Sequence, residues 1–312
     1  MRVRVLGAAA GGGFPQWNCG CANCRDARAG VAGLQPRTQE SIAVSADGEQ
    51  WFVLNASPEI RAQIEGFPAL HPRAPRQTPI QALVLTNGDM DHVLGLLSLR
   101  ESHPIVIYAT ECVRRGFTRG NVLYRTLERF PDQVTWRTLV PDAAVELSGV
   151  DGRASGLTLT AVTAPGKPPV HLSGSGSGSG AGDPDENIGV VISDSTTQTR
   201  LAYFAAAGGI TPAVQRACNG ADAVFFDGTF WSSDELIHLG LGTQRAADMA
   251  HLPVGPAGGG GSLGTLGKLS ARRRVYIHIN NTNPMLRTDS PERRAVEAAG
   301  WEVAYDGMEF TL

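Results

Sequence analysis

The polar run at residues 87–92, NGDMDH, places an amide, two carboxylates and an imidazole within one short stretch. An apolar run precedes it and an apolar segment with helical spacing follows, so the pattern predicts a strand, a loop and a helix. A tight turn at a strand end lets Asn87, Asp89, Asp91 and His92 converge. Oxygen donors beside an imidazole suit a divalent metal ion. An aspartate-rich turn, with His92 capping the next helix, explains the spacing equally well.

Three cysteines follow the first predicted strand in a glycine-rich loop, with the spacing C-x-C-x2-C. Thiolates this close together can occupy three corners of a tetrahedral zinc site and leave the fourth to a distant residue. Cys19, Cys21 and Cys24 are therefore candidate zinc ligands, and three buried or redox-active thiols are the alternative. A nucleotide-binding loop is not indicated, because neither GxGxxG nor Gly-Lys-Ser/Thr is present there.

The composition limits the classes of partner. The chain has 312 residues, 42% of them hydrophobic and 18% charged, and a net charge of −3. A sizeable core is available, and nothing in the charge balance indicates nucleic-acid binding. No apolar run approaches the roughly 18 to 20 residues of a membrane span, and residues 1–6 are predicted to form a strand rather than a signal peptide. We therefore expect a cytoplasmic protein that binds neither nucleic acid nor a membrane.

Strands and helices are predicted along the whole chain, with no linker between two cores. We expect a single domain over residues 1–312, built as two similar halves with a boundary near residue 150. The Ser-Gly tract at residues 173–180 has nothing apolar to bury and is predicted to be a loop or lid. The predicted elements include helices at residues 92–101, 111–130 with a break at residues 119–120, 243–251 and 263–269, and a terminal hairpin of residues 301–305 and 308–312.

Two later predicted strands also end in candidate ligands, Asp227 and His278. Binding and catalytic residues commonly gather at such loop positions. Together with residues 87–92, this arrangement resembles the metallo-β-lactamase superfamily. There, His-x-His-x-Asp-His follows the equivalent strand, and a bridging Asp and a late His follow later. The resemblance implies an αββα sandwich, in which two mixed sheets are flanked by helices.

The chain departs from the superfamily motif at the first of its two metal sites. Asn87 and Asp89 replace two histidines, and the middle histidine expected before residues 186–189 is missing. His171 is a poor substitute, because the Ser-Gly tract separates it from that segment. A hydrolase of this superfamily uses two metals to make and aim a hydroxide, and the first site could not be built here in its usual form.

The second metal site is retained, since Asp91, His92, Asp227 and His278 match its positions and Asp89 could add a carboxylate. Two imidazoles and one or two carboxylates with open positions form the ligand set of non-haem iron(II) enzymes that activate oxygen. The resemblance thus implies Fe(II), with Asp91, His92 and His278 as catalytic residues. A metal-dependent hydrolase, or one that has lost its activity and kept a metal, is the alternative.

Longer motifs narrow the resemblance to the pyrroloquinoline quinone (PQQ) biosynthesis protein B family. They extend over residues 7–284 and comprise GAAAGGGFPQWNCGCANC, RTQESIAVSADG, LNASPEIRAQI, LTNGDMDHVLGLLSLRE, FFDGTFW and IHINNTNP. The family implies a structural Zn(II) at the three cysteines and an iron- and O2-dependent hydroxylase. Its substrate would be the tyrosine ring of a cross-linked Glu-Tyr diamino acid derived from a precursor peptide. A carrier that transports the finished PQQ is the alternative in the binding class.

The resemblance leaves some roles open. Either His251 or Asn281 supplies the fourth zinc ligand. His251 is also a candidate catalytic acid, base or ring-orienting group, because related phosphodiesterases carry a histidine there. A histidine favoured by the dipole at a helix C-terminus is the alternative. The resemblance also implies a homodimer, which the surface cysteine loop could support. Candidates for binding substrate carboxylates, chosen because they lie near predicted strand ends, are Arg61, Lys167 and Arg100.

Overall fold

Two mixed β-sheets face each other with helices outside them, which confirms the predicted sandwich. The computed structural model describes residues 1–119, 121–169, 185–255 and 260–312, so His171 and the Ser-Gly tract at 173–180 lie outside the described residues. The first sheet contains β1 (Arg2–Gly7), β2 (Ser41–Ser45), β3 (Trp51–Leu54), β4 (Ile80–Val84), β5 (Ile105–Ala109), β6 (Val134–Thr138) and β14 (Glu309–Thr311). Its strand order is β14-β1-β2-β3-β4-β5-β6.

The chain passes from the first sheet to the second between Thr138 and Ala144 and returns to the first at β14. It contains β7 (Ala144–Ser148), β8 (Ala154–Thr163), β9 (Ile188–Asp194), β10 (Arg200–Phe204), β11 (Ala223–Asp227), β12 (Arg273–Ile277) and β13 (Glu302–Val303). Its strand order is β13-β12-β11-β10-β9-β8-β7. The duplication into two similar halves stays a prediction.

The main core lies between the sheets, where alternate residues of each strand point inward. Val5 and Val84 of the first sheet belong to the same buried cluster as Leu159 and Val275 of the second. Two further buried clusters cover the outer faces of the sheets beneath the helices. Burial of apolar surface is the dominant stabilising term in folding, so the sheets form a firm frame for the loops at their edges.

The helices are shorter than the sequence predicts. They are α1 (Ala22–Arg28), α2 (Ile60–Glu65), α3 (Met90–Val93), α4 (Glu111–Thr118), α5 (Pro212–Asn219), α6 (Glu235–His238), α7 (Ser262–Thr265) and α8 (Pro291–Ala298). The predicted helix at 92–101 is only α3 followed by the 3-10 helix Leu94–Leu99. Gly95 lies so close to the backbone that a Cβ atom there would come within 2.1 Å of the Ser57 carbonyl oxygen. This close approach fixes α3 against the loop after β3.

The predicted helix at residues 243–251 is wrong. Only Ala247–Met249 forms a 3-10 turn, and Ala250 has a left-handed φ of 59°. The Asp248 carboxylate accepts a hydrogen bond from the backbone N–H of Arg245 at 2.8 Å, so a side chain competes with helical backbone bonding. His251 therefore follows an irregular turn, and the interpretation as a histidine at a helix C-terminus is wrong as well.

The predicted terminal hairpin is also wrong, because its two strands belong to different sheets. β13 pairs in parallel with β12, whereas β14 pairs antiparallel with β1. Trp301, just before β13, is buried and stacks on Tyr276 with ring centroids 4.4 Å apart. The chain then crosses the sandwich at Asp306, whose carboxylate accepts hydrogen bonds from the backbone N–H of Ala8 (3.0 Å) and of Thr38 (2.6 Å). Two neighbouring segments with alternating apolar and polar residues are thus equally compatible with one hairpin and with strands in two facing sheets.

Both sheets contain parallel strands whose carboxyl ends lie at one edge of the sandwich, namely β3, β4 and β5 in the first and β10, β11 and β12 in the second. Asn55 follows β3 with a φ of 60°, and His278 follows β12 with a φ of 57°. A left-handed conformation costs a non-glycine residue of order 1–3 kcal/mol and persists where the surrounding structure fixes it. In the described ranges no helix is long and apolar enough to cross a membrane.

Candidate metal centre

The polar side chains at the strand ends form two groups that share one histidine. Asp91, His92 and His278 offer ligand atoms that lie within 4.8 Å of one another, and so do Asp227, His251 and His278. The four predicted iron ligands therefore lie in two adjoining groups joined by His278, and His251 belongs to the second group. Asp89 belongs to neither group.

His92 is fully buried, and its two ring nitrogens have different surroundings. Nδ1 lies 3.5 Å from the Thr86 hydroxyl, which donates a hydrogen bond to Asn55 Oδ1 at 3.0 Å and so can accept one from the ring. Nε2 has no hydrogen-bond partner and lies 3.8 Å from an Asp91 oxygen and 3.5 Å from a Glu40 oxygen. This arrangement favours the tautomer with hydrogen on Nδ1, which leaves the Nε2 lone pair for a metal ion.

His278 has a matching arrangement in the second sheet. The Thr229 hydroxyl donates to Asp227 Oδ1 at 2.6 Å and lies 2.8 Å from His278 Nδ1. His278 Nε2 lies 3.2 Å from Asp91 Oδ2. The other oxygen of Asp227 lies 2.6 Å from His251 Nδ1. His92 and His278 thus each face a threonine hydroxyl with Nδ1 and approach Asp91 with Nε2.

Thr229→Val is expected to weaken metal binding about 10- to 100-fold, the usual cost of losing a group that orients a metal ligand. The change keeps the shape of the side chain and removes the hydroxyl that lies between His278 and Asp227. Thr229→Ser keeps that hydroxyl and should restore most of the affinity. Anaerobic competition for Fe(II) with a chromophoric chelator measures the effect, and equal affinities of Thr229→Val and the unmodified protein would contradict it.

Burial and neighbouring charges set the protonation of the metal-free site. Burial lowers the pKa of His92 to about 4. Burial also opposes a charge on His278, but the hydrogen bond to Asp91 and the carboxylates of Asp91 and Asp227 outweigh it and raise the pKa to about 9. Burial opposes ionisation of Asp91 as well, yet His92 and His278 hold its pKa well below the usual range. A proton on His278 thus bridges to Asp91, and a divalent cation bound there would displace it.

Asn87, which replaces one of the missing histidines, is paired with a second buried amide, Asn187. Asn87 follows β4, Asn187 precedes β9, and Asn87 Nδ2 donates to Asn187 Oδ1 at 3.2 Å. Asn187 Nδ2 in turn donates to the Ala206 carbonyl at 2.9 Å, and Asn87 Oδ1 accepts from the backbone N–H of Asp89 at 3.0 Å. Both amides are buried, so they link the two sheets without a metal ion. Burial, helped by the negative charge of Asp91, raises the pKa of Asp89.

The second candidate metal site is a cluster of three thiols, those of Cys19, Cys21 and Cys24, whose sulfur atoms lie within 4.8 Å of one another. Asn281 lies beside it, with Nδ2 3.3 Å from Cys24 Sγ and 3.7 Å from Cys21 Sγ. His251 lies at the other site and is not placed to complete this one. Burial raises the pKa of the Cys21 thiol to about 11, and a bound zinc ion would deprotonate it.

The donor atoms at both places fit metal ions. A fully buried ring nitrogen without a partner, as on His92, costs about 1–3 kcal/mol unless something binds it. Two imidazoles with carboxylates suit Fe(II), Mn(II) or Zn(II), whereas three thiolates favour Zn(II). Asp91, His92, Asp227 and His278 would hold the first ion, and the three cysteines would hold the second.

Of the three cationic residues predicted to bind substrate, Lys167 lies nearest the site, because its charge lowers the pKa of Asp89. Arg61 is exposed on α2. Arg100 pairs with Glu101 at 3.7 Å and lines a surface cleft that contains none of the metal-binding side chains. The structure therefore does not bring Arg100 to the metal centre.

Comparison with known proteins identifies the family. A model of the β-lactamase superfamily domain matches residues 50–279. Coenzyme PQQ synthesis protein B of Rhizobium meliloti (strain 1021) is 45% identical over 313 residues, covering 100% of this chain and 98% of the relative. Its counterpart in Gluconacetobacter diazotrophicus is 44% identical over 309 residues, covering 98% of each chain. The chain belongs to the coenzyme PQQ synthesis protein B family.

Solved structures agree with this assignment. Zn²⁺-bound PqqB from Methylobacterium extorquens, another coenzyme PQQ synthesis protein B, matches with a TM-score of 0.91 and 42% identity, and the match covers 100% of both chains. A diphosphatase of the PhnP family shares the fold at a TM-score of 0.65 and 21% identity, covering 100% of this chain and 97% of the other. The predicted family and fold are thus confirmed.

Four side chains belong to the site of this coenzyme PQQ synthesis protein B family member although the sequence patterns did not indicate them. They are Glu40, Asn55, Asn187 and Thr229, all buried. Three of them lie within the family motifs RTQESIAVSADG, LNASPEIRAQI and FFDGTFW. A polar residue directly beside a buried strand was the available signal, but their partners lie on distant strands.

Proposed function

We propose that this protein is an iron(II)- and O2-dependent hydroxylase of PQQ biosynthesis. Its substrate is the tyrosine ring of a cross-linked Glu-Tyr diamino acid derived from a precursor peptide. Full-length similarity to proteins named for coenzyme PQQ synthesis supports the pathway. The donor atoms at the strand ends support the class of chemistry.

The hydrogen-bonded pair of Asn87 and Asn187 is the observation that carries the proposal. Hydrolases of this superfamily need two metals to make and aim a hydroxide. Asn87 stands where the superfamily motif has a histidine, and its amide, bound to Asn187, offers no imidazole to a first metal ion. The remaining ligands, Asp91, His92, Asp227 and His278, suit a single ion with open positions, which is the requirement for oxygen activation.

Iron(II) bound by these residues would supply O2 activation. Each turnover replaces one ring C–H bond by a C–OH bond, the second oxygen atom leaves as water, and an external reductant supplies two electrons and two protons. The carboxylates of Asp91 and Asp227 balance the charge of a divalent ion. Burial of His92 and His278 keeps bulk water from their ring nitrogens. Lys167, whose charge acts on Asp89, attracts a substrate carboxylate.

His251 is the imidazole that we assign to substrate contact. Its side chain is 15% exposed, against 1% for His92 and 5% for His278. The His251 ring stacks on His278 with centroids 5.3 Å apart, and its Nδ1 is bound to Asp227. Nε2 is then the nitrogen that can exchange a proton with the substrate phenol.

Isotope labelling tests the proposal. Protein loaded anaerobically with Fe(II) is given the Glu-Tyr diamino acid, a reductant and labelled O2, and mass spectrometry of the product is expected to show one labelled oxygen atom in the ring. A carrier would instead bind finished PQQ with or without iron and consume no oxygen. A hydrolase would incorporate oxygen from labelled water. Either of those results, or an unchanged substrate with every metal tried, overturns the hydroxylase.

A further inference from the structure

One surface cleft is strongly cationic, and we call it the arginine cleft. Its volume is about 510 Å³, and Arg76, Arg100, Arg125 and Arg129 line it together with a single acidic residue, Glu101. Four positive charges against one negative charge give these side chains a net charge of +3, although the whole chain has a net charge of −3. Positive charge is therefore concentrated in this cleft, where it attracts anions.

The arginine cleft lies toward the end of the first sheet that is opposite the metal centre. A second, apolar cleft of about 230 Å³ adjoins it, because Arg76 and Glu101 line both. Ile80, the first residue of β4, and Ile105, the first residue of β5, line this apolar cleft. The metal loop follows the other end of β4, so the two clefts form a surface separate from the metal-binding side chains.

Three of the four arginines carry charges that no neighbouring carboxylate neutralises. Arg76, Arg125 and Arg129 are exposed, and within the described ranges none of them forms an ion pair. Arg100 lies 3.7 Å from Glu101, but the two side chains are 55% and 69% exposed. An exposed pair of this kind stabilises a protein little, so a ligand can replace it. The guanidinium groups of the arginine cleft are thus available to an external anion.

The segment that carries two of these arginines is held firmly against the protein. Tyr124 and Leu127 are buried, and the Tyr124 hydroxyl accepts a hydrogen bond from the ring N–H of Trp136 at 2.8 Å. The Arg129 guanidinium lies over the ring of Phe130, 5.2 Å from its centroid, in a cation–π contact. Groups that are already held in place lose less conformational freedom when a ligand binds, so this segment is prepared for binding.

The pairing of a cationic cleft with an aliphatic one selects a class of ligand. Guanidinium groups bind carboxylates through two parallel hydrogen bonds. The apolar cleft is lined by the aliphatic side chains of Ile64, Ile80 and Leu99, and its described lining contains no Phe, Tyr or Trp on which a nucleic-acid base could stack. This surface therefore fits an acidic peptide with an aliphatic side chain better than it fits a nucleic acid.

We propose that the arginine cleft and the apolar cleft together bind an acidic peptide segment of a partner protein. In this docking site Arg76, Arg125 and Arg129 bind Asp or Glu side chains of the segment, and the apolar cleft takes an aliphatic side chain next to them. Val122 and Leu123, which are 72% and 56% exposed on the same 3-10 helix as Arg125, extend the contact to the partner. The inference goes beyond the proposed function and does not depend on it.

Fluorescence anisotropy with labelled model peptides tests the docking site on the full chain. The probe is Glu-Glu-Leu-Glu-Glu, which is expected to bind saturably and more weakly at high salt, because the contacts are between exposed charges. Gln-Gln-Leu-Gln-Gln lacks the carboxylates and should not bind. Glu-Glu-Ser-Glu-Glu lacks the aliphatic side chain and should bind more weakly than the probe, since it leaves the apolar cleft empty.

The double variant Arg125→Gln and Arg129→Gln is expected to weaken binding of the probe by about tenfold or more, because two charge-assisted contacts are lost. The matched control is Arg216→Gln with Arg245→Gln, which removes the same charge from exposed arginines outside both clefts. It should keep the affinity to within about twofold, since distant exposed charges are screened. Tm should stay the same in both double variants, because all four side chains are exposed.

The outcomes distinguish a peptide from other occupants of the surface. Equal affinities of the two double variants overturn the docking site, and so does equal binding of the Glu and Gln peptides or of the Leu and Ser peptides. If the probe does not bind, and sedimentation shows a dimer that only the cleft variant loses, the occupant is a second copy of this chain and the inference is overturned. Binding to phosphatidylserine vesicles in place of the probe overturns it in favour of a membrane surface. If the probe binds and the protein hydroxylates nothing, the inference stands and the hydroxylase fails.

Discussion

His92→Ala and His278→Ala are each expected to abolish turnover and metal binding at the strand ends, whereas Asn87→Ala should only slow turnover. Loss of a group behind a metal ligand costs about 10- to 100-fold in metal affinity, so loss of a ligand should exceed about 100-fold. Both histidines turn Nε2 toward Asp91, and each Nδ1 faces a threonine hydroxyl. His251, the remaining imidazole of the two groups, has its Nδ1 bound to Asp227.

Asn87 has a different role, because its side chain binds Asn187 and the backbone of Asp89 rather than the ligand group. Removing it leaves a buried amide oxygen on Asn187 without its donor, which costs about 1–3 kcal/mol of stability. The metal ligands keep their positions. We therefore expect lower kcat and lower Tm with Fe(II) affinity close to that of the unmodified protein.

Fe(II) content after anaerobic loading and product formation under O2 measure both effects. His238→Ala is the matched control for an alanine at a histidine, since His238 is 71% exposed and its Nε2 lies 3.1 Å from Asp234, just before its helix. It should change neither quantity. Normal turnover by His92→Ala, or loss of Fe(II) binding in Asn87→Ala, would contradict a single-metal centre built from the second site.

Cys21→Ser is expected to remove the bound zinc and to lower the free energy of unfolding by about 3 kcal/mol or more, because zinc binding contributes directly to folding. The loss reaches beyond the cysteine loop. Asn23 Nδ2 donates to the carbonyls of Asn281 (3.2 Å) and Asn283 (3.0 Å), so the loop holds the segment that follows β12. His278 lies just before that segment, and loss of zinc should therefore also weaken Fe(II) binding.

Zinc content by elemental analysis and urea unfolding test this prediction together. Cys112→Ser is the matched control, because Cys112 lies on α4, outside the cluster of three thiols. It should keep its zinc and lose no more than about 1 kcal/mol. Unchanged zinc content and unchanged stability in Cys21→Ser would show that the thiols have no structural metal.

The sequence was sufficient for features that are local along the chain. The types and spacing of Asp91, His92 and the three cysteines are set within single loops, so their chemistry could be predicted without the fold. The strands before Asp227 and His278 were identified from apolar runs, and the family motifs gave the sandwich. Local hydrophobic periodicity and loop spacing carry this information because each depends on neighbouring residues.

The tertiary structure alone decided which distant groups meet. Glu40 meets His92, Asn87 meets Asn187, and Thr229 meets His278, across 49 or more positions of sequence. These contacts depend on strand order and register in two facing sheets, which apolar patterns do not specify. The same reason explains the terminal strands, whose alternation is compatible with a hairpin although β13 and β14 lie in opposite sheets. The chemistry of each side chain can thus be predicted from the local sequence, whereas its partners are determined by the packing of the sheets.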